Sequence, residues 1–168
     1  MKVCVLGLGY IGLPTAAMFA EHGVDVVGVD VSPFVLNELN KGVVHIEEPG
    51  LQEIVSKVII NKKLIISEIP EISDAFIIAV PTPFKINEIG VFDGKNFKKA
   101  DMSFVISAVK SILPYLRKGN LVVLESTSPP KTMIDLISPL LESTGLKVGD
   151  DLFVAYTPER VLPGRILI

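Results

Sequence analysis

Residues Val3-Cys4-Val5-Leu6 run directly into Gly7-Leu8-Gly9-Tyr10-Ile11-Gly12, where a helical stretch begins. No other part of the chain constrains the fold as tightly. A lone G-x-G-x-x-G is weak evidence, but here a strand precedes it, a helix follows, and a second strand at 26–29 ends in Asp30. Each glycine then has a physical task. Gly7 permits a tight turn, Gly9 lets the backbone approach a pyrophosphate, and Gly12 lets the helix pack close to the strand. The start of that helix presents unpaired N–H groups and the positive end of its dipole to the phosphates. Asp30 stands about twenty residues on, where its carboxylate would accept bonds from the adenosine ribose and repel a 2′-phosphate. No Arg or Lys follows it closely. The expected cofactor is therefore NAD rather than NADP. The competing reading is an ordinary βαβ turn with Asp30 as a helix cap, and the agreement of four separate features favours the cofactor.

The rest of the chain alternates apolar runs with amphipathic stretches, the pattern of a parallel sheet with helices on both faces. Strands are expected at 3–6, 26–29, 64–66, 75–80, 121–124 and 152–155. Helices are expected at 11–22, 33–41, 50–59, 103–115 and 131–143. Ser32 before Pro33 reads as a helix cap, and Phe104, Ile106, Val109, Ile112 and Leu113 recur at roughly helical spacing. The fold class is α/β: a Rossmann-type, doubly wound, mainly parallel sheet. Residues 84–101 show no clear period and are expected to form a long loop, functional or mobile. The terminal run from Leu162 reads as the beginning of a further segment.

At 168 residues, 49% of them hydrophobic and 21% charged, the chain fits one soluble domain with a real core. The apolar share suits a domain with one face covered by another. A net charge of −3 gives no pull toward nucleic acid or an anionic membrane. The single cysteine, Cys4, makes no internal disulfide, which favours a reducing, cytoplasmic setting. The uncharged run after Lys2 superficially resembles a secretory signal, but Gly7, Gly9, Gly12 and Pro14 interrupt it. His22, His45 and Cys4 lack metal-ligand spacing, so no metal is expected.

Ligands of doubly wound sheets sit beyond the carboxyl ends of the strands, and three more strand ends are unusual. Pro81-Thr82-Pro83 reads either as a rigid turn or as a stiffened loop offering Thr82 to the cofactor. Ser126, Thr127 and Ser128 gather hydroxyls before a helix, where a cap needs only one. Thr157-Pro158-Glu159-Arg160 is either a solvated pair or a base and a phosphate partner. All of these ends are expected to line one crevice.

Six strings spread over the chain carry a resemblance: G-L-G-Y-I-G-L-P-T-A (7–16), V-D-V (29–31), H-I-E-E-P (45–49), A-V-P-T-P-F-K (79–85), L-E-S-T-S-P-P (124–130) and Y-T-P-E-R-V-L-P-G (156–164). The chain resembles the N-terminal, NAD-binding domain of the UDP-sugar dehydrogenases, most closely those acting on UDP-N-acetylmannosamine. The resemblance implies oxidation of the sugar's C6 alcohol to a carboxylate through a thioester, with two NAD+ reduced, for surface polysaccharide synthesis. By the same resemblance, Gly7, Gly9, Tyr10, Ile11 and Gly12 hold the pyrophosphate and Asp30 the ribose. Thr82 and Thr127 contact NAD, Thr127 near the reacting centre. Glu159 assists water attack on the thioester, and Arg160 and Val161 touch the UDP-sugar. It also implies that residues 1–168 are the first part of a longer, dimeric enzyme, with a central helix and a UDP-sugar-binding domain still to come. The family's catalytic cysteine and lysine would lie there. Cys4, inside a strand, is expected to be buried and inert, and His45 to be structural. Two departures stand out: Lys131 replaces a glycine found in many relatives, and 86–99 is long and basic. The rival readings are a dehydrogenase of UDP-glucose or UDP-N-acetylgalactosamine, and a non-catalytic NAD sensor.

Overall fold

A computed structural model describes every residue except Glu159, Val161, Pro163, Leu167 and Ile168, with the backbone alone of Asn87 and Phe92. In chain order the elements are β1 (Lys2–Leu6), α1 (Gly12–Glu21), β2 (Asp25–Val29), α2 (Pro33–Asn40), α3 (Leu51–Ile60), β3 (Leu64–Ser67) and β4 (Ala75–Ile78). There follow β5 (Phe84–Phe92), β6 (Lys95–Ala100), α4 (Ser103–Ile112), β7 (Leu121–Leu124), α5 (Ser138–Glu142) and β8 (Phe153–Tyr156). Six strands form one parallel sheet in the order β3-β2-β1-β4-β7-β8. Counting those six alone, the order is 3-2-1-4-5-6, the doubly wound arrangement whose switch point falls between β1 and β4.

Strand side chains alternate between two cores. Cys4, Leu6, Phe76 and Leu124 face α4, meeting Val105, Val109 and Ile112. Val3, Val5 and Ile77 face the other way, with Leu13, Ala16 and Ala17 of α1 and Val55 of α3. At the central strands β1, β2 and β4 both faces are dry, which is why they read as continuous apolar runs, whereas Ile65 of β3 and Phe153 of β8 are about half exposed. Among the described residues no helix is long and apolar enough to cross a membrane.

Cys4 is fully buried in the middle of β1, and burial pushes its thiol from 9.0 up to about 11. The folded chain thus keeps a proton that the unfolded chain releases. Its contribution to stability is complete below pH 9 and is lost as the pH rises toward 11, by about 2–3 kcal/mol. Alkaline unfolding should therefore be shallower for Cys4→Ala than for the parent, and a thiol reagent at pH 8 should label Cys4 only in denaturant.

Several element ends depart from expectation. The fourth strand stops at Ile78 rather than at 80, because its partner Leu6 runs into the Gly7 turn and the ladder has nothing further to pair. The helix expected over 103–115 tightens at Leu113–Tyr115 into a 3-10 turn containing Pro114. That over 131–143 opens with a π turn at Met133–Ile137 and becomes α-helical only at Ser138, just before Pro139. A proline lacks the N–H for an i−4 bond and crowds that carbonyl, so the turn before it must adjust. Lys131 has φ +68°, a backbone conformation that favours glycine. An L side chain in this region carries about 1–2 kcal/mol of strain. Lys131→Gly should stabilise the fold by about 0.5–1 kcal/mol after the extra chain entropy of glycine is subtracted, as read from the denaturation midpoint.

The largest correction concerns 84–101. It is a two-stranded antiparallel hairpin, not a loop. Asp93 and Gly94, with φ +50° and +69°, make the two-residue connection between Phe92 and Lys95. An Asp-Gly pair is a strong hairpin signal, because both residues tolerate positive φ. It was masked because the arm is wet on both sides. Ile86 is 95% exposed and Val91 69%, so no in-out alternation marks the strands. The Phe97 ring lies across Gly90 on the facing strand, where a Cβ would collide with it.

Candidate functional site

The glycine loop leaves β1 and returns as α1 within a few residues. Gly7 has φ +90°, and a Cβ there would sit 2.6 Å from the Ala79 carbonyl oxygen at the end of β4. A Cβ on Gly12 would overlap the Gly7 carbonyl oxygen, with the Ala79 side chain 3.1 Å away. Gly9 differs: nothing lies within 4 Å of the place its Cβ would take. Two glycines therefore close the turn, and the third leaves open space at the mouth of α1. The start of α1 has no side-chain cap and no acidic residue in its first turn. By contrast, the Val35 N–H at the start of α2 donates to Ser32 Oγ, the cap expected from sequence. An uncapped helix start with a backbone cradle and no acid is suited to an anion.

Asp30 closes the other side. The Leu8 N–H donates to its Oδ2 at 2.8 Å, and the Ser32 N–H donates to its Oδ1 at 2.9 Å. The carboxylate is thus held by the loop it faces, with lone pairs left for further donors. It stands at the edge of a cavity of about 580 Å³, whose lining includes Gly7, Gly9, Tyr10, Ile11, Asp30, Thr82 and Thr127. Gly12 is buried behind them. Every cofactor residue expected from sequence is therefore in or directly under one cavity. Val35, Ile69 and Phe104 contribute apolar surface to its lining, with Glu68 beside them, and apolar surface of this kind can take a flat base.

Phe104 is partly a correction. The buried stripe of α4 is Val105, Ala108, Val109 and Ile112. Phe104 lies off it, 46% exposed, at the cavity. Nothing in the periodicity separates such a residue from the core, because a single position more or less still fits a helical face. Ile69 and Pro70, beyond β3, were missed for a simpler reason: they carry no motif.

The hydroxyl cluster divides once its bonds are traced. Ser126 Oγ donates to the Val80 carbonyl at 2.7 Å, and Ser128 Oγ donates to the Ser126 carbonyl at 2.9 Å. Both hold the loop together. Thr82 Oγ1 donates to the Thr127 carbonyl at 2.7 Å, tying the ends of β4 and β7 across the cavity. The Thr82 proton is thereby committed, leaving its oxygen as an acceptor, and Thr127 is fixed in place.

The expectation of a single crevice is also corrected. The segment leaving β8 lines a second cavity of about 700 Å³, where Thr157, Pro158, Arg160 and Ile166 face Thr15 and Met18 of α1. β8 is the outer strand of the sheet, and beyond it Thr157, Pro158, Arg160 and Ile166 lie beside α1, next to Ile11 after β1 and Glu125 after β7. The two cavities share Ile11 and Glu125. Glu125, which was not singled out from sequence, accepts from Thr15 Oγ1 at 3.2 and 3.3 Å. Glu159 and Val161 lie outside the described residues. Among the described residues no group of His, Cys, Asp or Glu could hold a metal ion. His45 Nδ1 is buried without a hydrogen-bond partner, and its ring packs edge-on against Phe34.

A sheet with this strand order, a glycine turn at its switch point and an acid at the end of β2 define a dinucleotide-binding Rossmann domain. Residues 1–168 match the UDP-glucose/GDP-mannose dehydrogenase family, NAD binding domain. The chain belongs to that family, as its NAD-binding domain. It is 49% identical to the UDP-N-acetyl-D-mannosamine dehydrogenase of Methanococcus vannielii over 166 residues, 99% of this chain and 36% of that protein. The structure of a UDP-N-acetyl-mannosamine dehydrogenase from Staphylococcus aureus superposes with a TM-score of 0.91 at 49% identity, covering 99% of this chain and 39% of that one. GDP-mannose dehydrogenase from Pseudomonas aeruginosa, solved as a ternary complex, gives 0.85 at 28% identity, over 98% of this chain and 37% of that one. The chain thus spans a little over a third of the length of the relatives it matches.

Proposed function

We propose that this domain serves a cytoplasmic, homo-oligomeric dehydrogenase that oxidises the C6 alcohol of UDP-N-acetylmannosamine to the carboxylate. The observation that carries this reading is the cavity that holds the glycine loop, Asp30, Thr82 and Thr127 together, in a chain 49% identical to enzymes of that name. Overall, one alcohol, one water and two NAD+ give one carboxylate, two NADH and three protons. Bound NAD+ supplies the hydride acceptor for each oxidation.

The chain's own residues bind and orient. The Gly9 cradle and the amides at the head of α1 would hold the pyrophosphate, with Tyr10 and Ile11 beside it. Asp30 would accept from the ribose, and the apolar surface of Val35, Ile69 and Phe104 would take the adenine. Thr127, held by Thr82, would stand at the nicotinamide end, near the reacting carbon. Arg160, on the second cavity, would meet the negative charge of the nucleotide sugar together with Val161, and Glu159 would act as base on attacking water. A module that only sensed NAD would need neither of the last two functions.

NADH formation by the intact dehydrogenase, measured with UDP-N-acetylmannosamine, UDP-glucose and UDP-N-acetylgalactosamine at equal concentration, tests the assignment. The first should be preferred by at least tenfold in kcat/KM. A preference for either rival reassigns the substrate, and no NADH from any of the three removes the enzyme reading. Residues 1–168 alone should bind NAD weakly and produce no NADH.

A further inference from the structure

Glu48 is 8% exposed, although its neighbour Glu47 is at the surface. Among the described residues it forms no ion pair. Its charge is met instead by two backbone donors from far along the chain. The Gly164 N–H donates to Oε2 at 2.6 Å and the Ile166 N–H to Oε1 at 2.7 Å. A buried carboxylate is stable only when such donors satisfy it, and bonds to a charged acceptor are the strong kind. The donors are brought into line by a turn in which the Arg165 N–H donates to the Leu162 carbonyl at 2.9 Å. Gly164 within that turn has φ +84°, a conformation that favours glycine.

The carboxylate sits just before α3, and α3 packs on the same core as α1. Its mounting is therefore rigid. Arg160 and Ile166, both beyond β8 in the chain, line the second cavity beside α1, and the Ile166 N–H is one of the two bound to Glu48. In sequence, Arg160 stands between two fixed points, β8 before it and the Gly164 and Ile166 amides bound to Glu48 after it.

We propose that Glu48 is a positioning residue: by holding the backbone at Gly164 and Ile166 it limits where Arg160 can stand on the second cavity, so that the guanidinium meets an anionic nucleotide-sugar substrate in a set place. This rests on the role given to Arg160 above. Glu48 touches neither cavity, so its effect is on substrate and not on NAD.

Steady-state kinetics of the intact dehydrogenase test it. Glu48→Gln replaces one acceptor oxygen by a donor and should raise KM for the nucleotide sugar at least tenfold. KM for NAD and kcat should stay within about threefold. Glu48→Asp, which keeps both oxygens at shorter reach, should recover part of the loss. In the 168-residue chain, amide NMR should show Gly164 and Ile166 protected from exchange in the parent and unprotected in Glu48→Gln. If the Gln variant does not fold, Ile166→Pro, which deletes one donor and leaves Glu48 and α3 intact, should raise the same KM. An unchanged KM in Arg160→Ala would remove the reading of Arg160, and the positioning role with it. A raised KM in Arg160→Ala beside an unchanged one in Glu48→Gln, or in Ile166→Pro, would overturn the positioning role alone.

Discussion

Asp30→Ala is expected to weaken NAD binding by about 1–3 kcal/mol, roughly 5- to 150-fold, when the domain is titrated with NAD by calorimetry. Two losses combine in this figure. The ribose hydroxyls lose a charged acceptor, and the Leu8 and Ser32 N–H groups lose the carboxylate that now receives them at 2.8 and 2.9 Å. The second loss loosens the loop that cradles the pyrophosphate, so the substitution acts on both the ribose and the pyrophosphate. NADP provides the discriminating arm. The carboxylate repels a 2′-phosphate, so Asp30→Ala should narrow the preference for NAD over NADP while weakening NAD itself. Unchanged NAD affinity in a folded variant would detach Asp30 from the cofactor.

Alanine at Gly12 and at Gly9 should give opposite outcomes, although both glycines belong to one motif. The Gly12 Cβ would overlap the Gly7 carbonyl oxygen, a backbone atom that cannot rotate away. Gly12→Ala should cost about 2–4 kcal/mol of stability, a fall in Tm of roughly 5–15 °C. NAD binding would go with the turn. At Gly9 there is open space and no positive φ, so Gly9→Ala should leave Tm unchanged or slightly raised. Its methyl group would stand where the phosphates must approach, and NAD affinity should drop at least tenfold. Thermal melts and NAD titrations of the two variants decide this together. Normal NAD binding by Gly9→Ala would mean that the cradle is not the phosphate site.

The same loop shows why some of this protein was readable in advance. Its chemistry is local: the turn, the helix start and the acid at the end of β2 are all specified within Gly7 to Asp30. The buried strands were legible for a similar reason, since a sheet covered on both faces needs uninterrupted apolar runs. Legibility failed where a segment has no buried face. The hairpin carries an Asp-Gly turn signal, but its strands are wet on both sides, and periodicity had nothing to report.

The linear order of residues alone determined the doubly wound α/β class, the glycine cradle and the acid that faces it, because backbone sterics and short-range hydrogen bonding act over a few residues. Only the tertiary structure decided which strand ends share a cavity. It put Thr82 and Thr127 with the cofactor loop, sent Arg160 to a neighbouring cavity, and set Phe104 off the buried stripe of α4. It also brought Glu48 under the amides of Gly164 and Ile166, more than a hundred positions away. Such pairings follow from the order of strands in the sheet and from where each crossing chain lands, and no spacing along the chain encodes them.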